Sequence, residues 1–210
     1  MRRKEFAMSG NKQEVESFLH EMSFGFLGTV DKDGRCRVTP INFVYSHNCF
    51  YFHGSLAGEK MKHLKANPQA SFTVAKEYAI IPSYFSHPEL ACPATAFFKS
   101  VMVQGHVEIV DDLQEKAHAF TRFMEKLQPE GGYAPIDPAN PRYAGQLKAV
   151  ALFRLVPETM SAKFKFGQNL QENRFNNIIQ GLQDRNGEGD HKTAEHMYKY
   201  CPFHGGGSMN

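Results

Sequence analysis

The chain has 210 residues, 41% of them hydrophobic and 22% charged, which is typical of a globular protein with a sizeable core. Its 24 basic and 22 acidic residues are interspersed, and this argues against a nucleic-acid partner. Four widely spaced cysteines without a CxxC pair predict free thiols in a reducing compartment. No signal peptide pattern and no membrane-length apolar run is present, so we expect a soluble, cytoplasmic protein with no membrane partner.

The first 81 residues predict a helix and then a series of antiparallel hairpins. Apolar residues at helical spacing predict an amphipathic helix over residues 13–22. Three strands with short polar connections follow: 24–30, 35–45 and 49–54. Pro40 within the second strand indicates an edge, a bulge or a break. A short lysine-rich helix over about 58–66 and a strand over 71–81 complete this part.

The rest of the chain alternates loops with longer elements. The pattern predicts a loop over 81–97, a strand over 99–110 with a bulge at Gly105, a helix over 111–127, a loop over 129–143, a strand over 148–164 and a helix over 171–185. The tail 186–210 is expected to be mobile apart from any contact made by MYKYCPFH (197–204). About six antiparallel strands indicate a mainly β fold, a closed or half-closed barrel with peripheral helices. Residues 1–170 would form this domain, and residues 171–210 a C-terminal helix and tail.

Residues 53–62, HGSLAGEKMK, are a candidate anion site. Glycines let backbone N–H groups approach a ligand, and the start of a helix carries unpaired N–H groups and the positive end of its dipole. Lys60 and Lys62 would add positive charge near a phosphate. Equally, these lysines could coat a solvated helix face, and His53 could be a packed or surface histidine.

Four segments carry a family resemblance: RCRVTPINFVY, YFHGSLAGEKMKHLKANPQASFTV, FFKSVMVQGHVEIVDDLQEKA and LFRLVPETMSAK. Together they resemble the pyridoxamine 5'-phosphate oxidase-like, FMN-binding split-barrel superfamily, and most of all its nitroimidazole-reductase (Nim-type) branch. The resemblance covers roughly residues 20–165. It implies an antiparallel split barrel and a homodimer with FMN bound in clefts at the subunit interface.

The resemblance also implies roles for particular positions. The flavin ring would lie against Val38, Thr39, Pro40 and Ile41. Its phosphate would be approached by Arg37, Lys60 and Lys62, beside Gly54 and Ser55. The partner subunit would supply Lys99, Ser100 and Gln104. His53 would be the catalytic residue, because an imidazole near the flavin could donate a proton to a reduced substrate.

Two features depart from pyridoxamine 5'-phosphate oxidases proper. The chain has no tryptophan, so it lacks their C-terminal substrate motif and oxidation of a pyridoxal vitamer is not expected. The segments KFKFGQN and SYFSHPE resemble an FMN-binding, regulator-like branch of the superfamily. Lys163, Lys165 and Gln168 would then reach the flavin or the cleft, unless they simply form a basic strand end at the surface.

The tail and one loop cysteine offer further candidates. His191, His196, Cys201 and His204 could hold a metal or haem iron, or they could be incidental histidines of a disordered tail. The spacing matches no regular zinc pattern, so no metal site is predicted. Cys92 could lie near the open face of the flavin or act as a small hydrophobe.

The sequence thus predicts an FMN-dependent oxidoreductase that passes electrons from reduced FMN to a small aromatic acceptor resembling a nitroimidazole. The redox chemistry would belong to the cofactor and its orientation to the protein. The alternative is a non-enzymatic flavin- or haem-binding sensor or regulator of the same fold, since a fold does not by itself imply catalysis. A dimeric barrel with an emptied cofactor cleft is a third interpretation.

Overall fold

A computed structural model describes residues 4–8, 11–201 and 203 of the chain. Within these residues, the helices are α1 (Lys12–Glu21), α2 (Glu59–Ala66), α3 (Leu113–Leu127), α4 (Pro141–Ala149), α5 (Glu172–Arg185) and α6 (Asp190–Tyr200). The strands are β1 (Phe24–Val30), β2 (Cys36–Asn42), β3 (Val44–Ser46), β4 (Cys49–Gly54), β5 (Gln69–Ile81), β6 (Thr95–Val110) and β7 (Ala151–Lys165). Short 3-10 helices lie at Lys4–Phe6 and Ser83–Phe85. No helix of the described residues is long and apolar enough to cross a membrane.

The strands form one sheet in the order β2-β1-β5-β6-β7-β4-β3. β1 pairs antiparallel with both β2 and β5, and β4 pairs antiparallel with both β3 and β7. Four of the six neighbouring pairs are consecutive in the chain, and the other two, β1 with β5 and β4 with β7, are also antiparallel. This confirms the predicted fold class, mainly β and antiparallel with accompanying helices.

The predicted strand 35–45 is two strands, separated at Phe43. The Phe43 side chain is fully buried, and its N–H donates to the Ser23 carbonyl at 3.1 Å, one residue beyond the last β1–β2 pair. β2 therefore ends one side of the sheet order, while β3 ends the other. Pro40, opposite Phe26, lacks a backbone donor, and an edge strand tolerates this. Of the three alternatives at Pro40, an edge, a bulge or a break, the edge is confirmed.

The chain divides into two compact units. The first comprises Met1–Gly10, Ala75–Ser100 and Ala162–Asn210, and the second comprises Asn11–Val74 and Val101–Ser161. In the second unit, the rings of Phe43 and Phe72 lie 5.1 Å apart, and those of Phe52 and Phe153 lie 5.4 Å apart. All four side chains are fully buried. Each contributes roughly 1.5–3 kcal/mol through removal from water. Phe52 and Phe153 are also paired residues, so their burial stabilises the end of β4 against the start of β7. The predicted domain boundary at residue 170 stays a prediction.

The first unit contains helix α6, so residues 190–200 are helical where a mobile tail was expected. Met197 of α6 is fully buried. At the helix start, Asp190 accepts hydrogen bonds from Arg185 Nε and the Gly187 N–H, both at 2.8 Å. The Arg185 guanidinium lowers the pKa of the Asp190 carboxyl below its ordinary value. The glycine-rich flanks concealed this helix in the sequence.

Helix α4 was also missed, because a proline- and glycine-rich region surrounds it. Asn140 caps its N-terminus through a 3.0 Å bond from the Arg142 N–H, and Pro141 occupies its first turn. At the other end, the buried Lys116 ammonium donates to the carbonyls of Leu147 and Val150, each at 2.9 Å.

Gly105 lies inside the continuous strand β6. A Cβ atom at this position would collide with the Val156 carbonyl oxygen of β7. The glycine is therefore required by the close approach of the neighbouring backbone, where the sequence predicted a bulge.

Candidate functional site

The turn between β4 and α2 gathers several of the predicted site residues within the second unit. Ser55 Oγ accepts the Ala57 N–H at 3.2 Å and thereby shapes the turn. Gly58 is the N-cap residue of α2, and it offers no capping side chain. The first amides of α2 consequently lack a side-chain acceptor within the described part of the chain. Such amides, at the positive end of the helix dipole, favour an anion.

Lys60 lies half-buried at this turn. Its Nζ donates to the His53 carbonyl at 3.2 Å and lies 5.4 Å from the ring centroids of both Phe52 and Phe153. Burial lowers the pKa of Lys60 from its ordinary value of 10.5 to about 8. The other two ammonium N–H groups have no acceptor among the described residues. A phosphate or another anion would supply these acceptors, so the residues present fit the phosphate of a bound cofactor.

Gly54 makes room for this lysine. A Cβ atom at position 54 would lie 3.1 Å from Lys60 Nζ and 3.2 Å from its Cε. Both distances are shorter than ordinary van der Waals contact. A glycine at the end of β4 therefore allows the ammonium group to lie directly over the strand end.

Arg37 lies at the same end of α2. Its Nη2 is 3.1 Å from Glu59 Oε2, in an exposed ion pair. Glu59 also faces His63, with 3.8 Å between Oε1 and Nε2. His63 Nδ1 is in turn 3.2 Å from Thr29 Oγ1. The guanidinium of Arg37 is thus already partnered, whereas the ammonium of Lys60 has no carboxylate partner in the described ranges.

Lys62 is separated from Lys60 by the geometry of the helix. Two residues correspond to about 200° around an α-helix, so the two side chains point to different sides. Lys62 is exposed, while Lys60 is half-buried. The structure therefore brings Lys60, Gly54 and Arg37 to one end of α2 and leaves Lys62 on its solvated face.

His53 combines an exposed edge with aromatic contacts. Its ring lies edge-on to Phe123 at 5.2 Å and tilted against Phe120 at 5.6 Å. Burial lowers the pKa of His53 below its ordinary value of 6.5, and the Lys60 charge lowers it further. The imidazole is consequently neutral at pH 7 and can donate or accept one hydrogen bond there.

The segment Val38–Ile41 does not present a single surface, because side chains alternate along β2. Val38 and Pro40 are exposed, whereas Thr39 and Ile41 are half-buried on the opposite face. Beside them on β1, Phe24 and Phe26 are 44% and 43% exposed. We refer to Phe24, Phe26, Val38 and Pro40 as the β1–β2 patch. Sequence reasoning missed its two phenylalanines, although their alternation in FGFLG places them on one face.

The residues expected to act on a partner subunit have different surroundings. In the first unit, Lys99 is only 6% exposed, with its Nζ 4.9 Å from the ring centroid of Phe164. Ser100 is half-buried. In the second unit, Gln104 is exposed and lies 3.5 Å from Thr159 Oγ1 through its Oε1. Their role towards a partner stays a prediction.

Gln168 stabilises the turn after β7 instead of offering its amide to a ligand. Its side-chain oxygen accepts the Phe166 N–H at 2.7 Å, and its amide N–H donates to the Phe164 carbonyl at 2.6 Å. Gly167 has φ +84°, a backbone conformation that favours glycine. The FGQN segment therefore has a structural role in this turn, and a contact of Gln168 with a flavin stays a prediction.

The proposed metal or haem ligands of the tail are only partly described. Cys201 is buried, and His191 lies 3.1 Å from Glu195. His204 lies outside the described residues, so the CPFH spacing stays untested. Over 4–8, 11–201 and 203, no three histidine, cysteine or acidic side chains are grouped to hold a metal ion.

Comparison with known proteins places this site in a family context. A family model described as pyridoxamine 5'-phosphate oxidase matches residues 11–164. A curated relative, the protease synthase and sporulation protein PAI 2 of Bacillus subtilis (strain 168), is 24% identical over 198 residues, covering 89% of this chain and 91% of the relative.

Solved structures give the same picture. A candidate 5-nitroimidazole antibiotic resistance protein from Bacteroides thetaiotaomicron is 25% identical, with a TM-score of 0.59, over 75% of this chain and 85% of that one. The flavocytochrome Anf3 from Azotobacter vinelandii is 24% identical, with a TM-score of 0.64, over 81% of this chain and 75% of that one. The second likeness concerns the fold alone.

Proposed function

Because the chain belongs to the pyridoxamine 5'-phosphate oxidase family, we propose that it binds FMN with the phosphate at Lys60 and the start of α2. The observation that carries this proposal is the half-buried ammonium of Lys60, two of whose N–H groups have no acceptor among the described residues. A phosphate there would restore the charged form that burial disfavours. The uncapped amides after Gly58 would add backbone donors.

Neighbouring residues would complete the phosphate site. Arg37 would add a second positive charge, partly offset by Glu59. Gly54 would keep the strand end open to the ligand, and the exposed Ser55 would lie beside it. Arginine can hold phosphate oxygens with two parallel hydrogen bonds, whereas lysine acts as a point charge. Lys60 would therefore set the affinity, and Arg37 the orientation.

The reaction we propose is reduction of a small aromatic acceptor such as a nitroimidazole. When bound, FMN supplies the transfer of electrons to the acceptor. The neutral imidazole of His53 would hold a proton within reach of the acceptor, and Phe120 and Phe123 would keep its ring oriented. The likeness to the Bacteroides protein, at 25% identity, supports this class of acceptor.

A homodimer would place the β1–β2 patch out of water. Val38 is 65% exposed, and the neighbouring Phe24 and Phe26 are nearly half exposed. Contiguous exposed apolar side chains of this kind are typical of protein interfaces. In this arrangement Lys99, Ser100 and Gln104 of the partner subunit would complete the cofactor site. Light scattering should show a dimer whose dissociation constant rises when Phe26 is replaced by Gln.

A non-enzymatic flavin- or haem-binding protein is the second candidate. The similarity to the sporulation protein covers 89% of this chain, and so extends beyond the residues that the family model matches. The name of that relative refers to protease synthesis and sporulation, and this is the observation behind a regulatory role.

The visible spectrum of the purified protein tests both candidates. A flavin spectrum, with FMN identified by the mass of the released chromophore, would support the proposal. Turnover of a nitroimidazole with reduced flavin would then support the enzyme, and its loss in His53→Gln with FMN still bound would support the role of the histidine. A Soret band would favour haem binding. A colourless protein that does not take up added FMN would overturn the assignment.

A further inference from the structure

A cavity of about 370 Å³ lies within the first unit, and none of the residues proposed above for the FMN phosphate lines it. Three separate pieces of the chain form its walls: Phe6, the loop 92–95, and the segment from the end of β7 into α5. Met8 N–H donates to the Ala162 carbonyl at 3.1 Å, which holds the N-terminal piece against β7. The volume of the cavity is within the range of small-molecule binding sites.

The charged residues of this cavity all carry positive charge. Lys163, Lys165 and Arg174 line it, and its lining among the described residues includes no aspartate or glutamate. Lys163 Nζ lies 5.5 Å from the ring centroid of Phe6. Lys165 donates to Thr95 Oγ1 on the loop side. Three cations around one concave space repel one another, and a bound anion would offset this repulsion.

Arg174 provides an independent indication of a ligand. Its Nε is buried and has no hydrogen-bond partner in the part of the chain that the structure describes. Arg174 is also the third residue of α5, where the helix dipole disfavours a cation. Buried polar groups in native proteins are normally bonded, so an unpartnered guanidinium N–H at a cavity wall indicates a missing acceptor.

We propose that this cavity binds a small organic anion. A phosphate or carboxylate head group would be held by Arg174, Lys163 and Lys165, and an apolar body would pack against Phe97 and Leu170. Guanidinium groups match the planar or tetrahedral oxygens of both head groups. None of these residues belongs to the phosphate site proposed at Lys60, so binding at this cavity can be tested separately from that site.

Calorimetric titration of the full chain with phenyl phosphate, benzoate and benzamide tests the proposal. We expect one-to-one, saturable binding of at least one of the two anions and no binding of neutral benzamide; the tighter anion identifies the head group. Arg174→Gln should weaken binding at least tenfold, whereas Arg142→Gln, which changes an exposed arginine of α4, should not. Lys60→Met should leave the affinity of the anion for this cavity unchanged. This result would distinguish the cavity from the proposed flavin site.

Cys92 gives a second readout because it lies in the cavity wall. The bound anion should slow alkylation of Cys92 by N-ethylmaleimide, measured peptide by peptide, while the exposed Cys36 reacts at an unchanged rate. Should Arg174→Gln fail to fold, as judged by circular dichroism, Lys163→Gln takes its place. The proposal is overturned by absence of saturable binding, by equal binding of benzamide, by affinity unchanged in these variants, or by equal protection of both cysteines.

Discussion

Two lysines of the second unit, Lys60 and Lys126, have similar burial and different surroundings. Burial lowers the pKa of each to about 8, and each ammonium lies over phenylalanine. Lys126 Nζ donates to three carbonyls, those of Leu19 at 3.3 Å, Met22 at 2.6 Å and Phe43 at 3.3 Å. Lys60 Nζ donates to one, that of His53.

The difference distinguishes a structural lysine from a ligand-binding one. An ammonium has three N–H donors, and Lys126 uses all of them to join the end of α1 and the β2–β3 junction to α3. Lys60 bears a comparable burial cost and retains two donors. Low local polarity strengthens hydrogen bonds that are made and penalises those that are not. The number of hydrogen-bond acceptors around the ammonium group, rather than its burial or its pKa, thus distinguishes a structural lysine from a ligand-binding one.

The largest effect that we expect is a loss of stability in the variant Lys126→Met. Three carbonyls would lose their donor, and the free energy of unfolding should fall by about 2–4 kcal/mol. The affinity for FMN should change less than about threefold, since Lys126 lies outside the proposed phosphate site. Urea denaturation and a fluorescence titration measure the two quantities. Loss of FMN binding at unchanged stability would reverse the assignment of the two lysines.

The second largest effect that we expect is weaker FMN binding in the variant Lys60→Met. Removal of a charge-assisted hydrogen bond should weaken FMN affinity by about 10- to 100-fold. The unfolding free energy of the FMN-free protein should hold or rise, because the variant no longer buries an incompletely bonded charge. Lys62→Met is the matched control, since Lys62 lies on the exposed face of the same helix. Equal weakening by both variants would contradict the placement of the phosphate beside Lys60.

The turn that contains Lys60 could be predicted from sequence, but its state of hydrogen bonding could not. Gly54 and Gly58, before a short helix that carries lysines, indicate an anion site from residue type alone. Whether a lysine already has acceptors depends on distant backbone: the carbonyls that engage Lys126 lie 83 to 107 residues away in sequence. The missing hydrogen-bond partner of Arg174 could not be predicted from sequence either, because the one local signal is a cation in the first turn of a helix.

The fold shows a similar division between local and distant causes. β1 was predicted to the residue because apolar and small residues alternate between a polar turn and the end of α1. The break at Phe43 was missed because 35–45 is an uninterrupted run of strand-forming residues, and burial of that side chain is a tertiary effect. Helix α4 carried a readable start, Asn140-Pro141, that the surrounding prolines and glycines obscured.

The third prediction uses pH to separate binding from folding. FMN affinity requires protonated Lys60, so it should fall above pH 8, by up to about tenfold per pH unit. Stability of the FMN-free protein should rise between pH 8 and 10.5, because the pKa of Lys60 and of Lys126 is lowered from 10.5 to about 8 and the unfolded chain binds more protons there. The lowered pKa of His53 keeps it neutral throughout this window.

Lys60→Arg is the control for this profile. Arginine stays protonated across the range, so the fall in FMN affinity above pH 8 should disappear, while the stability rise due to Lys126 should persist. An unchanged pH profile in the arginine variant would mean that another group, or the phosphate itself, governs the dependence.

The smallest effect is expected in Gly54→Ala. The added Cβ would lie 3.1 Å from Lys60 Nζ, the far end of a flexible side chain, so the ammonium should shift by a few tenths of an ångström. We expect FMN affinity to fall about two- to fivefold, a fraction of one charge-assisted hydrogen bond. Gly58→Ala is the matched control, because its Cβ would find its nearest neighbour, Ser55 Cβ, at an ordinary 3.6 Å. If Gly54→Ala were as damaging as Lys60→Met, the strand end itself would contact the ligand, and the lysine would be one of two contacts rather than the main one.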